Sequence, residues 1–108
     1  MKSKQHIGLN TCPDAETAHR IASMLVEQQV AACVNIISGI SSVYRWQGEI
    51  TSDSEFLLII KSNTDCYAEL EQRLRALHPY ELPEIVAVPI TGGLPDYLDW
   101  LNNNTKHA

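Results

Sequence analysis

The order of hydrophobic patterns along the chain predicts an α+β fold in which two helices cover one face of an antiparallel sheet. Two segments, beginning near residues 14 and 64, repeat apolar residues at the 3.6-residue period of a helix. Segments rich in β-branched and aromatic residues, as strands are, lie at residues 6–11, 32–46, 50–61 and 85–90. The resulting order is β-α-β-β-α-β with a short closing helix at 95–102, the split βαβ pattern of ferredoxin-like folds.

Local signals support the boundaries of these elements. Pro13 closes the first strand, and Asp14 is placed to cap the first helix. Gly39 interrupts the second strand as a β-bulge does, and Gln47-Gly48 makes the turn into the third strand. Residues 102–108 follow the closing helix without a pattern, so we expect them to be loose.

Length and composition limit the classes of protein that need to be considered. The 108 residues form a single domain, residues 1–108, with room for one core. A net charge of -5 argues against a nucleic-acid surface. A signal peptide and a membrane span are both unsupported, because each needs a long apolar run and the sequence shows none. The three cysteines, widely spaced and odd in number, do not form a disulfide framework and favour a reducing cytoplasm.

The central strands predict self-association. Residues 56–60 are apolar at both odd and even positions, and these positions point to opposite faces of the strand. This pattern indicates burial on both faces, whereas the helices can bury only one. The second and third strands are about 12 to 15 residues long, where a typical strand has about 5 to 6. A closed homo-oligomer would cover both the long hairpin and the second sheet face. The alternative is a monomer with one ordinary covered sheet.

The segment from Leu77 to Ile85 places a histidine, a tyrosine and two glutamates between two prolines. Proline disfavours the helical conformation in the residue before it, so His78 is predicted to be the first residue past the second helix. The prolines would then present His78, Tyr80 and Glu84 on a rigid turn. The alternative is a stiff connector whose tyrosine packs and whose charges face water.

Six motifs, in order, resemble the CutA1 family of small homotrimers named for divalent cation tolerance, over residues 8–101. The motifs are Thr-Cys-Pro-Asp at 11–14, Ala-Ala-Cys-Val-Asn at 31–35, Tyr-Arg-Trp-Gln-Gly at 44–48, Ile-Lys at 60–61, His-Pro-Tyr-Glu at 78–81 with Pro-Glu at 83–84, and Asp-Tyr-Leu-Asp-Trp-Leu at 96–101. The resemblance implies a stable trimer that binds copper or another divalent cation and has no established catalytic reaction.

The copper site that the resemblance implies is only partly present. In enterobacterial members of the family, the proposed site uses a strand cysteine and two successive histidines. Here His78 stands at the second histidine position, while Leu77 and Asn10 replace the other two ligands. Cys12 lies on the same strand face as Asn10 and could replace the missing thiolate. Because tight copper sites need three or four donors, His78 and Cys12 predict weak binding. The alternative is structural roles for both residues.

A second candidate site is a cleft between subunits lined by Trp46, Lys61, Tyr80 and Glu84. These polar or amphipathic residues lie at the ends of apolar elements, where folds display binding groups. A cation, a phenol, a carboxylate and an indole would suit a small anionic or zwitterionic ligand. The alternatives are mutual pairing of Lys61 with Glu84, and interface packing of Tyr44 and Trp46.

Three functional classes follow from these observations. The first is a homotrimeric, cytoplasmic metal-binding or metal-tolerance protein. The second is a trimeric small-molecule sensor or signalling module with clefts between subunits. The third is an enzyme with His78 and Glu84 as an acid/base pair, which we disfavour because no nucleophile with a base stands at a known catalytic spacing.

The remaining histidines and cysteines are assigned structural or solvent-facing roles. His6, His19 and His107 are predicted to face solvent. Cys33 lies inside an apolar run and is predicted to be a core residue, while Cys66, in the first turn of a helix, is predicted to be partly exposed.

Overall fold

The computed structural model describes residues 4–106 and confirms the predicted order of elements. These elements are β1 (Gln5–Cys12), α1 (Ala15–Glu27), β2 (Cys33–Trp46), β3 (Glu49–Asn63), α2 (Tyr67–Leu77), β4 (Ile85–Pro89) and α3 (Pro95–Asn103), with a 3-10 turn at Thr64–Cys66 before α2. All pairs of neighbouring strands are antiparallel, and the strand order in the sheet is β2-β3-β1-β4. Within residues 4–106, no helix is long and apolar enough to cross a bilayer.

The register of β1 against β3 decides which side chains form the core. Gly8 lies opposite Ile60, and Asn10 lies opposite Leu58. These even-numbered positions face α1 and α2, and Leu58 and Ile60 are fully buried. The core is completed by the apolar faces of the two helices and the segment after α1, contributed by Ala18, Ile21, Leu25, Val30, Ala31, Leu70 and Leu74.

The first helix begins as its sequence predicts. Asp14 has an extended backbone, and its carboxylate accepts a hydrogen bond of 2.8 Å from the Thr17 amide. This bond satisfies one of the amides that a helix start leaves without an intrahelical partner. The lowered pKa of Asp14 has the same cause, since hydrogen bonds from Thr17 favour the ionised carboxylate.

The long hairpin also has the predicted geometry. β2 contains 14 residues and β3 contains 15. Gly39 has φ of 73°, and the pairing register shifts between Ile37 and Ile40, which confirms the bulge. At the hairpin turn, Gln47 and Gly48 have φ of 50° and 83°, so both residues of this two-residue loop are left-handed.

The odd-numbered side chains of β1 and β3 point away from the helices. On this open face Ile7 lies opposite Lys61, and Leu9 lies opposite Ile59. The apolar members of the face are half-buried or exposed in a single chain: Ile7, Leu9, Ile37, Leu57, Ile59, Val86 and Val88. The two helices thus bury one apolar face of residues 56–60, as predicted, and burial of the other face by further copies stays a prediction.

The predicted loose tail is wrong for the residues that the structure describes. Thr105 is buried, and its hydroxyl accepts a hydrogen bond of 2.6 Å from the Asn63 side-chain amide. The Lys106 amide donates to the Gln29 carbonyl at 2.8 Å, and the Lys106 ammonium lies 2.7 Å from the Glu69 carboxylate. These contacts join residues 105–106 to the end of β3, to the loop after α1 and to α2, and no local pattern could indicate them.

Predictions for single histidines and cysteines were correct in one case and wrong in three. His19 is exposed as expected, but His6 is only 3% exposed and its ring stands edge-on to that of Tyr67 at 5.7 Å. Cys66 is fully buried, and Cys33 lies half-buried on the open face, opposite Lys61, and not in the core. His107 lies outside the described residues.

Replacing Leu58 by alanine should destabilise the fold by about 2–5 kcal/mol, because it leaves a cavity in the core between sheet and helices. Guanidinium unfolding measures this change directly. Leu82→Ala is the matched control, since Leu82 is 72% exposed and its truncation should change the free energy of unfolding by less than about 0.5 kcal/mol. Equal effects of the two substitutions would contradict the assigned register.

Candidate functional site

The end of α2 positions the first candidate ligand, His78. The His78 amide makes the last helical hydrogen bond, to the Leu74 carbonyl at 2.9 Å, and its backbone is then extended. Pro79 explains this conformation, because a residue before proline avoids the helical region. The predicted end of the helix is confirmed, and the imidazole turns back toward the end of β1.

Both ring nitrogens of His78 are used within the chain. Nε2 lies 2.7 Å from the Thr11 carbonyl oxygen, and Nδ1 accepts a hydrogen bond of 3.1 Å from the Tyr80 amide. An accepting Nδ1 and a carbonyl at Nε2 together define a neutral imidazole with its proton on Nε2. Burial lowers the pKa of His78, and it outweighs the opposing effects of the Thr11 carbonyl and the Glu55 charge.

Cys12, the second candidate ligand, lies at the end of β1 with its side chain on the same face as Asn10. The residue is fully buried, and its Sγ donates to the Asn10 Oδ1 at 3.5 Å. Burial raises the pKa of the Cys12 thiol to about 11, with smaller contributions from the Asp14 and Glu55 charges. Because the thiolate is the form that binds metals, this environment opposes metal binding at neutral pH.

The donors near His78 do not form a ready-made metal site. Thr11, which His78 contacts, directly precedes Cys12, so the structure does bring the two predicted ligands into one region. Within residues 4–106, however, no group of three or more His, Cys, Asp or Glu side chains is arranged to hold a metal ion. The imidazole would have to release the Tyr80 amide to expose Nδ1 to a metal. His78 and Cys12 remain predicted ligands, and the donor set does not fit a tight resident ion.

A cleft of about 700 Å³ lies between the hairpin and the loop that follows His78. Three of the four predicted ligand-binding residues, Trp46, Tyr80 and Glu84, line it together. Its other walls come from the hairpin strands and from the loop at residues 81–83. The volume lies within the range of about 300–1,000 Å³ that is usual for small-molecule sites.

Lys61, the fourth predicted residue, lies elsewhere in the single chain. It is paired with Ile7 and Cys33 on the open face of the sheet, and its ammonium donates to the Asn35 side-chain carbonyl. The prediction that Lys61 joins the cleft therefore depends on a second copy bringing its own lysine there. Within one chain, no direct pairing of Lys61 with Glu84 is found among the described residues.

Two carboxylates that sequence reasoning missed shape the cleft. Glu55 is only 7% exposed, and its Oε2 accepts a hydrogen bond of 2.6 Å from the Tyr80 hydroxyl. On the neighbouring strand the Tyr44 hydroxyl donates to Asp53. The pKa of Tyr80 is raised, first by burial and then by this hydrogen bond to Glu55. The available signal was the position of Glu55 directly before the apolar run at 56–60, but its partner Tyr80 lies 25 residues away in the sequence.

The fold and the loop after α2 define a class of small α+β proteins with one ferredoxin-like sheet and an overlong hairpin. Residues 6–104 match the family described as CutA1 divalent ion tolerance protein. Over 101 residues the chain is 52% identical to the divalent-cation tolerance protein CutA of Thermus thermophilus. The alignment covers 94% of this chain and 98% of the Thermus protein. The chain belongs to the CutA1 family.

Solved structures of relatives have the same fold. The Thermus thermophilus protein superimposes with a TM-score of 0.92 at 51% identity, covering 94% of this chain and 98% of that one. A protein of Nostoc sp. PCC 7120, described as PII-like protein CutA, has a TM-score of 0.86 at 39% identity, and the superposition covers 93% of this chain and 96% of that one. Relatives differ in length, since the chain spans 53% of the chloroplastic CutA of Arabidopsis thaliana.

Stability should decrease as the pH falls from 7.5 to 5.5, in part because of His78. Burial lowers its pKa below 6.5 in the folded chain, so the unfolded chain takes up the proton more readily. The contribution is complete above pH 6.5 and is lost as the pH falls toward the folded pKa. Protonation of Nδ1 would also remove the acceptor of the Tyr80 amide.

Guanidinium midpoints at the two pH values test this linkage. His78→Gln should show a smaller decrease than the wild type, and His6→Gln should behave similarly because burial also lowers the pKa of His6. His19→Gln is the control, since His19 is exposed and its substitution should leave the pH dependence unchanged. An unchanged decrease in both buried-histidine variants would contradict the assignment.

Proposed function

We propose that the protein acts in divalent cation tolerance as a homotrimer that binds copper or another divalent cation weakly. Family membership supports the cation role, since both the matched family and the Thermus relative are described by divalent cation tolerance. The apolar open face of the sheet is the observation on which the proposed assembly rests. The family description refers to tolerance and not to a catalysed reaction, and we propose no enzymatic activity.

The assembly argument combines strand length with exposure. β2 and β3 are more than twice as long as an average strand of about 5–6 residues, and the molecule extends 45 Å along its long axis. Val86 and Val88 are 46% and 47% exposed on the open face, and Ile50, near the tip of the hairpin, is 65% exposed. Contact with further copies would bury these apolar groups and protect the edge of the hairpin. Three copies is the number that the family resemblance favours.

Light scattering at micromolar concentration should give three times the chain mass of 12.1 kDa. Val88→Glu should shift the protein toward the monomer, because burying an unpaired carboxylate in the interface costs several kcal/mol per subunit. Ser23→Glu adds the same charge to an exposed position of α1 and should leave the mass unchanged. A monomer mass for the wild type would rule out the trimer.

Copper is proposed as a weakly held ion that depends on His78 more than on any other residue. The resemblance supplies this position, and the neutral imidazole has the protonation state that metals require. Binding would cost the hydrogen bond from the Tyr80 amide to Nδ1, which explains why we expect low affinity. Cys12 is a weaker candidate because its thiol is buried and protonated.

Titration of Cu²⁺ into the purified protein should show binding that His78→Ala weakens at least about tenfold, or about 1.4 kcal/mol. Cys12→Ser should have a smaller effect. His19→Ala removes an exposed histidine of α1 and is the control, which should leave the affinity unchanged. Equal copper affinities of the wild type and His78→Ala would remove His78 as a ligand.

A second candidate function is a trimeric small-molecule-binding signalling module. The cleft beside Trp46, Tyr80 and Glu84 favours it, because these three predicted residues line one cavity of suitable volume. The description of the Nostoc relative as PII-like is consistent with such a role for that protein. We retain Lys61 in this proposal as a residue that a neighbouring copy would supply.

We also propose a cytoplasmic location, with neither nucleic acid nor membrane as a partner. The three cysteines are free thiols, and two of them are buried, as is usual in a reducing compartment. The net charge of -5 opposes contact with a phosphate backbone. The structure of the Archaeoglobus fulgidus relative is described as that of a periplasmic protein, so cell fractionation is the appropriate test.

A further inference from the structure

The cleft between the hairpin and the loop after His78 has an excess of negative charge. Arg45 is its one cationic side chain among the described residues, and the Arg45 guanidinium is turned toward the Gly48 carbonyl at the tip of the hairpin. Its four carboxylates come from β3 and from the loop: Asp53, Glu55, Glu81 and Glu84. The potential inside such a concave site attracts cations and repels anions.

Glu55 is the residue that makes this charge significant. It is 7% exposed, and no lysine or arginine of the described residues lies within ion-pair distance of it. The Tyr80 hydroxyl satisfies Oε2, while Oε1 accepts no hydrogen bond from residues 4–106. Buried carboxylates are normally paired, because an unpaired one loses its hydration without compensation. Glu55 therefore lines the cavity as an acceptor without a cation.

The phenols of the cleft are acceptors as well. A tyrosine hydroxyl has one proton to donate, and the protons of Tyr80 and Tyr44 are directed at Glu55 and Asp53. The phenol oxygens can then only accept further hydrogen bonds. Apart from Arg45, the Trp46 indole N–H and the hydroxyls of Thr11 and Ser42, the polar side chains of the cleft thus call for a ligand rich in donors.

Aromatic rings provide the rest of the wall. Tyr44, Trp46 and Tyr80 line the same cavity as the carboxylates. An ammonium group over an aromatic face is attracted by the negative charge of the ring face, and an indole attracts it more strongly than a phenol does. Rings and carboxylates together form an environment that suits protonated amines. Arg45, the side chain of the cleft best suited to phosphate or carboxylate, is directed at the Gly48 carbonyl.

We propose that this cleft binds a small organic ammonium compound, with Glu55 as the principal counter-ion. Carboxylates on two sides, Asp53 and Glu55 from the hairpin and Glu81 and Glu84 from the loop, favour a ligand with two amino groups. The proposal deepens the second candidate function and rests on it. It replaces the anionic or zwitterionic ligand that the sequence suggested with a cationic one, because within one chain Lys61 lies outside the cleft. A Lys61 that a neighbouring copy supplied to the cleft would pair with its carboxylates, and this is the alternative that the titration tests.

Calorimetric titration with three four-carbon probes tests the ligand class: 1,4-diaminobutane, succinate and 1,4-butanediol, each in 0.15 M NaCl. The diamine should bind measurably, and the diacid and the diol should not. Glu55→Gln keeps an oxygen to accept the Tyr80 hydroxyl but removes the charge, and it should weaken the diamine at least tenfold. Glu27→Gln removes a charge from an exposed position at the end of α1 and should leave the affinity unchanged.

Glu84→Gln is a second test that does not depend on a buried position, because Glu84 is exposed on the loop; it should also weaken the diamine. Circular dichroism establishes that each variant is folded. Equal weakening by Glu27→Gln would overturn the proposal, because the effect would then be one of overall charge. Unchanged diamine affinity in both Glu55→Gln and Glu84→Gln would overturn it as well.

The remaining outcomes separate this proposal from the candidate function beneath it. Binding of succinate in preference to the diamine would overturn the ligand class while leaving a small-molecule cleft in place. Binding of none of the probes would overturn the ammonium proposal alone, since it is the result expected if a Lys61 supplied by a neighbouring copy already paired with Glu55, as the second candidate function allows.

Discussion

The burial of Leu58 and Ile60 beneath α1 and α2 sets the parity of every strand in the sheet. Side chains alternate across a strand, so a slip of one residue would exchange the buried and open faces. With this parity Asn10 and Cys12 face the helices, and Ile59 and Lys61 face away. The placement of the candidate residues follows from this constraint. It brings Cys12, the neighbour of Thr11, into the region of the histidine that follows α2, and it places Lys61 on the side where contact with other copies is expected.

The second constraint is the proline after His78. It stops α2, holds the backbone extended, and lets one imidazole bond to two backbone groups from different elements, Thr11 and Tyr80. The same loop then carries Tyr80 to Glu55 on the hairpin. A single rigid turn therefore connects the end of β1, the end of α2 and the middle of β3. The metal hypothesis and the cleft hypothesis share this turn, but they use different atoms of it, so they can be tested separately.

Sequence reasoning succeeded where the governing interactions are local. The cap at Asp14, the bulge at Gly39, the turn at Gln47 and Gly48 and the end of the helix at His78 all depend on a few neighbouring residues, and all were correct. It failed where the partner is distant. His6 is buried against Tyr67, 61 positions further along the chain, and Thr105 is bound by Asn63. Polar residues give no periodic signal of such contacts, so their burial could not be anticipated.

By itself the sequence determined the order of elements, the length of the hairpin and the apolar character of both sheet faces, because these depend on period, turn chemistry and side-chain type. The tertiary structure alone decided which polar groups meet. It paired the Tyr80 hydroxyl with Glu55, gave both nitrogens of His78 backbone partners, and separated Lys61 from Glu84. The physical reason is that charge and hydrogen bonding act over a few ångströms, and distances that short are set by strand register and loop path, not by spacing along the chain.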